Sequence, residues 1–184
     1  MCASTVQKWG ELYQTAAGQS GYFTAAQAHE VGYSDQLLGY YHREGRVQRV
    51  LRGVYRLVHF PTADHEDLVA LWLWSDREGV FSHETALALH QLSDAMPSSI
   101  HVTFPMRWKE RRVRYPRVLV PSFSVVSKAD RSWVGPVPVT SPLRTIKDCR
   151  AAHVEPDLVD QAIKEALERG LFRAEVLEHG KEPL

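Results

Sequence analysis

Apolar positions along the chain change period several times, and each change marks an element. Val6, Trp9, Leu12, Tyr13 and Ala16 recur at helical spacing until Gly18 and Gly21 break the pattern, which predicts a first helix. In YFTAAQAHEVG, Thr24 stands where a hydroxyl can accept a free N–H of the first turn. Gly32 suits the C-terminal stop, so a short second helix is expected. Ser34 then caps SDQLLGYYHREG, with Asp35 near the positive helix end and Gly45 past its close. On this third helix Leu37, Leu38 and Tyr41 cluster to one side, leaving Asp35, Gln36, Tyr40 and Arg43 for the exposed side. Gly39 costs roughly 1 kcal/mol relative to alanine there, which fits either close approach by another backbone or plain tolerance. Past Gly45 the period becomes two. Val47 and Val50, then Val54, Tyr55 and Leu57, form two runs joined by a turn at Arg52-Gly53, a β-hairpin.

His59-Phe60-Pro61-Thr62 interrupts regular structure, so a domain boundary is expected near residues 58–64, dividing a 1–60 domain from a 64–184 domain. DHEDLVALWLWSDREG predicts a helix burying Leu68, Leu71 and Trp72. In VFSHETALALHQLSD, Ser82 caps a helix with Glu84 and Thr85 in its first turn, continuing through Leu92. SSIHVTFP, closed by Pro105, predicts a strand, and YPRVLVPSFSVV and PVPVT predict further short ones. Pro142 opens a helix in PLRTIKDCRAA, and EPDLVDQAIKEALERGLF is an amphipathic helix ending at Gly170. The expected class is α+β, with an N-terminal winged helix-turn-helix and a mixed helix/strand C-terminal domain.

Composition agrees: 184 residues, 44% hydrophobic and 24% charged, suit one ordinary domain or two small ones. No apolar run approaches bilayer length and MCASTVQKWGELYQ lacks a signal-peptide core, so a cytoplasmic protein is expected. Cys2 and Cys149 do not make a disulfide framework.

Charge changes the picture more. Lysines and arginines total 22 and acids 22, yet Arg43, Arg46, Arg49, Arg52 and Arg56 fall within residues 43–57 against Glu44 alone. A second basic stretch, MRWKERRVRYPR, carries Arg107, Lys109, Arg111, Arg112, Arg114 and Arg117 against Glu110. The tail from Glu155 to Glu182 is acidic, with Lys181 among its few cations. Two basic patches on a neutral chain suggest local polyanion sites, because surface field depends on nearby charge. In a winged helix the third helix enters the major groove and the hairpin offers arginines to phosphates or the minor groove. The candidate DNA-binding residues are therefore Ser34, Gln36, Tyr40, Arg43, Arg46, Arg49 and Arg52. A solvated hairpin whose charges discourage edge pairing needs fewer cations and no arginine specifically. In the second stretch, Trp108 and Tyr115 could stack on bases as in single-strand binders, or the cations could contact duplex phosphates. The bland reading there is an exposed charged loop.

GYFTAAQAHEVGYSDQLLGYYHREGRVQRVLRGVYRL resembles the N-terminal winged helix of AbiEi-type antitoxins of bacterial type IV toxin–antitoxin (abortive infection) systems. The likeness rests on the Phe-Thr…Ala…Gly-x-Ser opening and the Gly-x-Val-x-Arg-Val-x-Arg-Gly-Val-Tyr wing. SHETALALHQLSDAMPSSIHVTFP, VTSPLRTIKDC and LVDQAIKEALERGL are similar to recurring segments of that family's C-terminal domain. The resemblance implies a DNA-binding antitoxin that represses its own operon and counters a nucleotidyltransferase-like toxin without a stable complex between the two. An RNA-binding protein, a regulator unrelated to any toxin, and an interaction module using the acidic tail are the other classes.

No enzyme is expected. The nine histidines show no tight metal-ligand spacing, and phosphate-loop, dinucleotide and nucleophile-elbow motifs are absent. His83-Glu84 could form an acid–base pair, but capping and first-turn electrostatics explain both, as a solvated helix start explains Asp64, His65, Glu66 and Asp67. Neither cofactor nor metal is called for.

Overall fold

A computed structural model of the chain describes residues 5–178; Cys2, Lys181, Glu182 and the side chain of Val6 lie outside the described residues. The chain forms two compact units, Met1–Arg77 and Glu78–Leu184.

In the first unit the order is α1 (Thr5–Ala17), β1 (Tyr22–Thr24), α2 (Ala25–Glu30), α3 (Asp35–Arg43), β2 (Val47–Leu51), β3 (Val54–Leu57) and α4 (Glu66–Trp74). Antiparallel pairing gives a sheet in the order β1-β3-β2. The expected glycine stops operate through one device. Gly32 and Gly45 take φ of +86° and +69°, and the next residue's N–H returns to a carbonyl of the last turn, Tyr33 to Ala28 and Arg46 to Tyr41. The core joins Leu12, Ala16, Phe23, Ala28, Tyr33, Leu38, Tyr41, Val47 and Leu57. Burial pushes the Tyr33 hydroxyl up to about 12.

The boundary expected near 58–64 is displaced, because α4 packs on β1, β2 and β3 and so belongs to the first unit. Leu68, Val69, Ala70, Leu71 and Leu73 are all buried, so this helix is apolar on most of its circumference rather than striped.

The second unit holds β4 (Val80–Phe81), α5 (His83–Leu89), β5 (Ile100–Phe104), β6 (Leu119–Phe123), β7 (Arg131–Val134), β8 (Val137–Thr140), α6 (Pro142–Ala151), α7 (Pro156–Glu168) and α8 (Glu175–Glu178). Its sheet runs β6-β5-β4-β8-β7, with β5/β6 and β4/β8 parallel and the outer β7/β8 and inner β4/β5 pairs antiparallel. Leu87, Leu92, Ile146, Cys149, Val159, Ala162 and Ala166 form the helical side of the core. Helix α5 stops at Leu89, not Leu92: Gln91 adopts φ +54° and the Leu92 N–H returns to the Leu87 carbonyl. The whole is α+β.

Candidate nucleic-acid interface

Helix α2 starts with a full capping box, in which Thr24 Oγ1 accepts from the Gln27 N–H and Gln27 Oε1 accepts from the Thr24 N–H. Ser34 caps α3 by accepting from the Leu37 N–H at 3.2 Å. Its hydroxyl is thereby committed to the helix start, which tempers its candidacy as a base contact. Asp35 pairs with His29 Nε2 at 2.9 Å, tying the two helix ends together across the turn.

Leu38 and Tyr41 bury one side of α3, whereas Gln36, Tyr40 and Arg43 are exposed at spacing i, i+4 and i+7, one continuous stripe. Tyr40 stands edge-on to Tyr41, with ring centroids 5.6 Å apart. Gly39 lies on this face, and a Cβ there would meet only the Arg43 guanidinium, at 3.7 Å. No protein backbone therefore requires glycine at this point.

The hairpin turns at Gly53, φ +76°, and the Gly53 carbonyl accepts from the Ala25 N–H at 2.8 Å, which fixes the turn to the start of α2. The register of β2 on β3 shifts between Arg49 and Leu51. This bulge turns Gln48, Arg49 and Val50 to solvent together, so strict alternation fails there. Arg46 lies over the Tyr41 ring at 5.4 Å while remaining exposed. Gln48 is an exposed polar neighbour that charge counting passes over.

Of the five clustered arginines, Arg43, Arg46, Arg49 and Arg52 face water and Arg56 does not. Arg56 donates to the carbonyls of Leu57 and Phe60 and to Glu66 Oε2 at 2.9 Å, and stands 5.7 Å from the Tyr22 ring centroid. Glu66 is consequently half of a largely buried ion pair, not part of a solvated helix start.

The second basic stretch divides similarly. Arg107 pairs with Glu78 Oε2 at 2.5 Å, Trp108 Nε1 donates to the same oxygen at 2.8 Å, and Arg111 lies 3.7 Å from Glu78 Oε1 and over the Trp108 ring at 4.4 Å. Trp108 is buried and stacks on Phe104 at 4.7 Å, and Tyr115 packs on the same ring. The expectation that Trp108 could stack on bases fails, because its faces are occupied within the core. Lys109, Arg112, Arg114 and Arg117 stay exposed.

Around His83 the geometry is more specific than capping. Ser82 occupies the cap position without capping: its buried Oγ accepts from Thr103 Oγ1 at 2.8 Å and lies 2.9 Å from His83 Nδ1. Glu84 pairs with His101 Nε2 at 3.2 Å. Burial pushes the His83 imidazole below its ordinary range, opposed in part by Asp148. Among the described residues no three His, Cys, Asp or Glu side chains cluster to hold a metal, and no helix is long and apolar enough to cross a membrane. Burial raises the Cys149 thiol to about 12, so it stays protonated.

Comparison with known proteins addresses both units. The crystal structure of the RV2827C protein from Mycobacterium tuberculosis has a TM-score of 0.59 at 15% identity, over 96% of this chain and 72% of that one; the likeness is one of fold. No curated protein matches the chain. A family model described as transcriptional regulator, AbiEi antitoxin, matches residues 11–58, from within α1 through β3. The capped α3 and the arginine wing lie inside that match, so the segment 11–58 is similar to the AbiEi antitoxin transcriptional regulators.

Proposed function

We propose that the chain is a cytoplasmic, non-enzymatic antitoxin that binds duplex DNA in its own promoter, represses its operon and counters a nucleotidyltransferase-like toxin. One observation carries the DNA part: the stripe Gln36, Tyr40, Arg43 on a capped helix and the arginines Arg46, Arg49 and Arg52 that follow it in the hairpin segment are all exposed, within the segment matched to a regulator family. In this reading α3 reads base edges in the major groove and the wing holds phosphates. The antitoxin part rests on the family match and assigns toxin protection to the second unit; it assumes no direct contact with the toxin.

The test is a gel shift on the upstream fragment across a salt series, paired with co-expression beside the toxin gene. Gln36→Ala should lower the specific-to-nonspecific ratio, since a bidentate base contact discriminates by about 1–3 kcal/mol. Arg49→Ala with Arg52→Ala should weaken binding to every sequence and reduce the salt slope by about 2. The wing variant should still protect against the toxin. Absence of binding at low salt would remove the DNA reading, and loss of protection in the wing variant would remove the division of roles.

A further inference from the structure

We infer that the first unit holds a site for a free α-amino acid with a large apolar side chain, and that this ligand takes Arg46 away from DNA. A cavity of about 500 Å³, within the range of small-ligand sites, lies between α1, the turn that follows α3 and the chain after β3. Trp9, Tyr13, Leu57 and Phe60 give it apolar walls, and Glu44 and Arg46 bring one charge of each sign to its lining. The walls are held without help from a ligand. Tyr13 and Phe60 pack with ring centroids 6.0 Å apart, and the Phe60 carbonyl accepts from Arg56 Nη2 at 3.1 Å. The Phe60 ring closes on Gly21 so tightly that a Cβ added there would lie 2.6 Å from Phe60 Cγ. Trp9 packs on Tyr41 at 5.4 Å, and the Arg46 guanidinium lies over the same Tyr41 ring at 5.4 Å, so one ring ties wall and cation together.

Charge selects the occupant. Among the described residues the Glu44 carboxylate has no partner and the Arg46 guanidinium has only the Tyr41 ring, and the two form no ion pair with each other although they border one cavity. A purely anionic ligand would meet Glu44, a purely cationic one would meet Arg46, and an uncharged one would take water from both charges and replace none of it. A carboxylate and an ammonium on one carbon answer both, the first on Arg46 and the second on Glu44, with the side chain against the walls. The three rings of Trp9, Tyr13 and Phe60 favour an aromatic or long aliphatic side chain over a polar one. Arg46 is also one of the arginines proposed to hold phosphate, so the effect on DNA rests on that reading, whereas the site does not. A guanidinium whose charge a ligand carboxylate cancels is lost to the DNA backbone. Amino acid and DNA therefore oppose each other, and by linkage each weakens the other by the same factor.

The experiment titrates the full chain by calorimetry with L-phenylalanine, L-tryptophan and L-leucine, and with two fragments of the first: phenylpropanoate, which lacks the ammonium, and phenethylamine, which lacks the carboxylate. Phenylalanine should bind roughly fivefold or more tightly than either fragment, the worth of about one charge-assisted hydrogen bond at a solvent-facing rim. Glu44→Gln should erase the preference over phenylpropanoate, and Arg46→Gln the preference over phenethylamine. Both side chains are exposed, so neither change threatens the fold. L-serine, with the same charges and no apolar body, should bind far more weakly. A gel shift on the upstream fragment with saturating amino acid should show DNA binding weakened by roughly three- to tenfold, about one phosphate contact, and a salt slope smaller by about 1. Absence of saturable binding by all three amino acids up to about 10 mM, or equal binding of phenylalanine and its fragments, would overturn the site. Amino-acid binding that leaves DNA affinity unchanged would overturn the opposition and keep the site. A chain that binds the amino acid but no DNA at low salt would remove the DNA reading, and the opposition with it.

Discussion

Replacing Arg56 should destabilise the first unit rather than act through the proposed contact with DNA, although the residue belongs by sequence to the wing. Its side chain is 12% exposed and that of Glu66 26%, so the pair is screened far less than a surface bridge. Arg56→Ala removes donors to Leu57, Phe60 and Glu66 and the contact with the Tyr22 ring, and leaves the Glu66 carboxylate without its cation. Breaking a fully buried pair from one side costs about 3–5 kcal/mol. With the remaining exposure of Glu66, about 2–4 kcal/mol is expected here, and a unit of this size then melts roughly 10–20 °C lower. Arg49→Ala and Arg52→Ala, both exposed, should stay within about 0.5 kcal/mol of the parent. The assay is thermal denaturation together with hydrogen exchange at the β3 amides, which report this unit separately from the other. Equal melting of Arg56→Ala and the parent, or equal losses in all three variants, would refute the division of the arginines into structural and exposed sets.

Gly21→Ala should cost about 2–4 kcal/mol, because φ is +86° and the added Cβ would lie 2.6 Å from Phe60 Cγ; exchange protection across β1 and β3 measures it. The second unit should lose stability on mild acidification, since burial lowers both His83 and His90 below the ordinary imidazole value of 6.5. The unfolded chain then binds more protons as pH falls through 6.5, so the stabilisation is whole above that value and is lost toward the lower folded values. Denaturant titrations at a series of pH values should show this slope, and His90→Gln should remove part of it.

What was legible in the sequence was local. Thr24, Ser34, Gly32 and Gly45 act within a turn of their own position, and hydroxyl caps and left-handed glycines stand where spacing placed them. The three-residue β1, the two-residue β4 and the four-residue β7 escaped, because runs so short carry no usable period, and β1 and β4 exist through partners distant in the chain. The same limit hid the roles of side chains. Nothing near Arg56 in sequence tells that Glu66 will take it, and nothing in WKERR tells that Trp108 will bury itself against Phe104. Ser82 is the sharpest case: its position is that of a cap, but a hydroxyl from the facing strand engages its oxygen.

Both basic stretches share a physical logic that resolves the apparent conflict with a net charge of zero. In each, a glutamate at the root consumes the arginines nearest the core, Glu66 taking Arg56 and Glu78 holding Arg107 and Arg111. Arg56 contributes little field at the surface, because Glu66 cancels its charge within a few ångströms, whereas Glu78 offsets one of the two charges of Arg107 and Arg111. The paired arginines also fix the backbone from which the unpaired cations project. Arg46, Arg49 and Arg52 on one side, and Lys109, Arg112 and Arg114 on the other, therefore stand on anchored supports rather than on free loops, and less conformational entropy is lost when a polyanion orders them. The acids that balance the sum, such as Asp157, Asp160 and Glu168, are carried on the exposed positions of α7, apart in sequence from either stretch. A neutral chain can thus hold two strongly positive surfaces, because a phosphate within about a Debye length, roughly 8–10 Å, responds to the charges left unpaired nearby and hardly to the total.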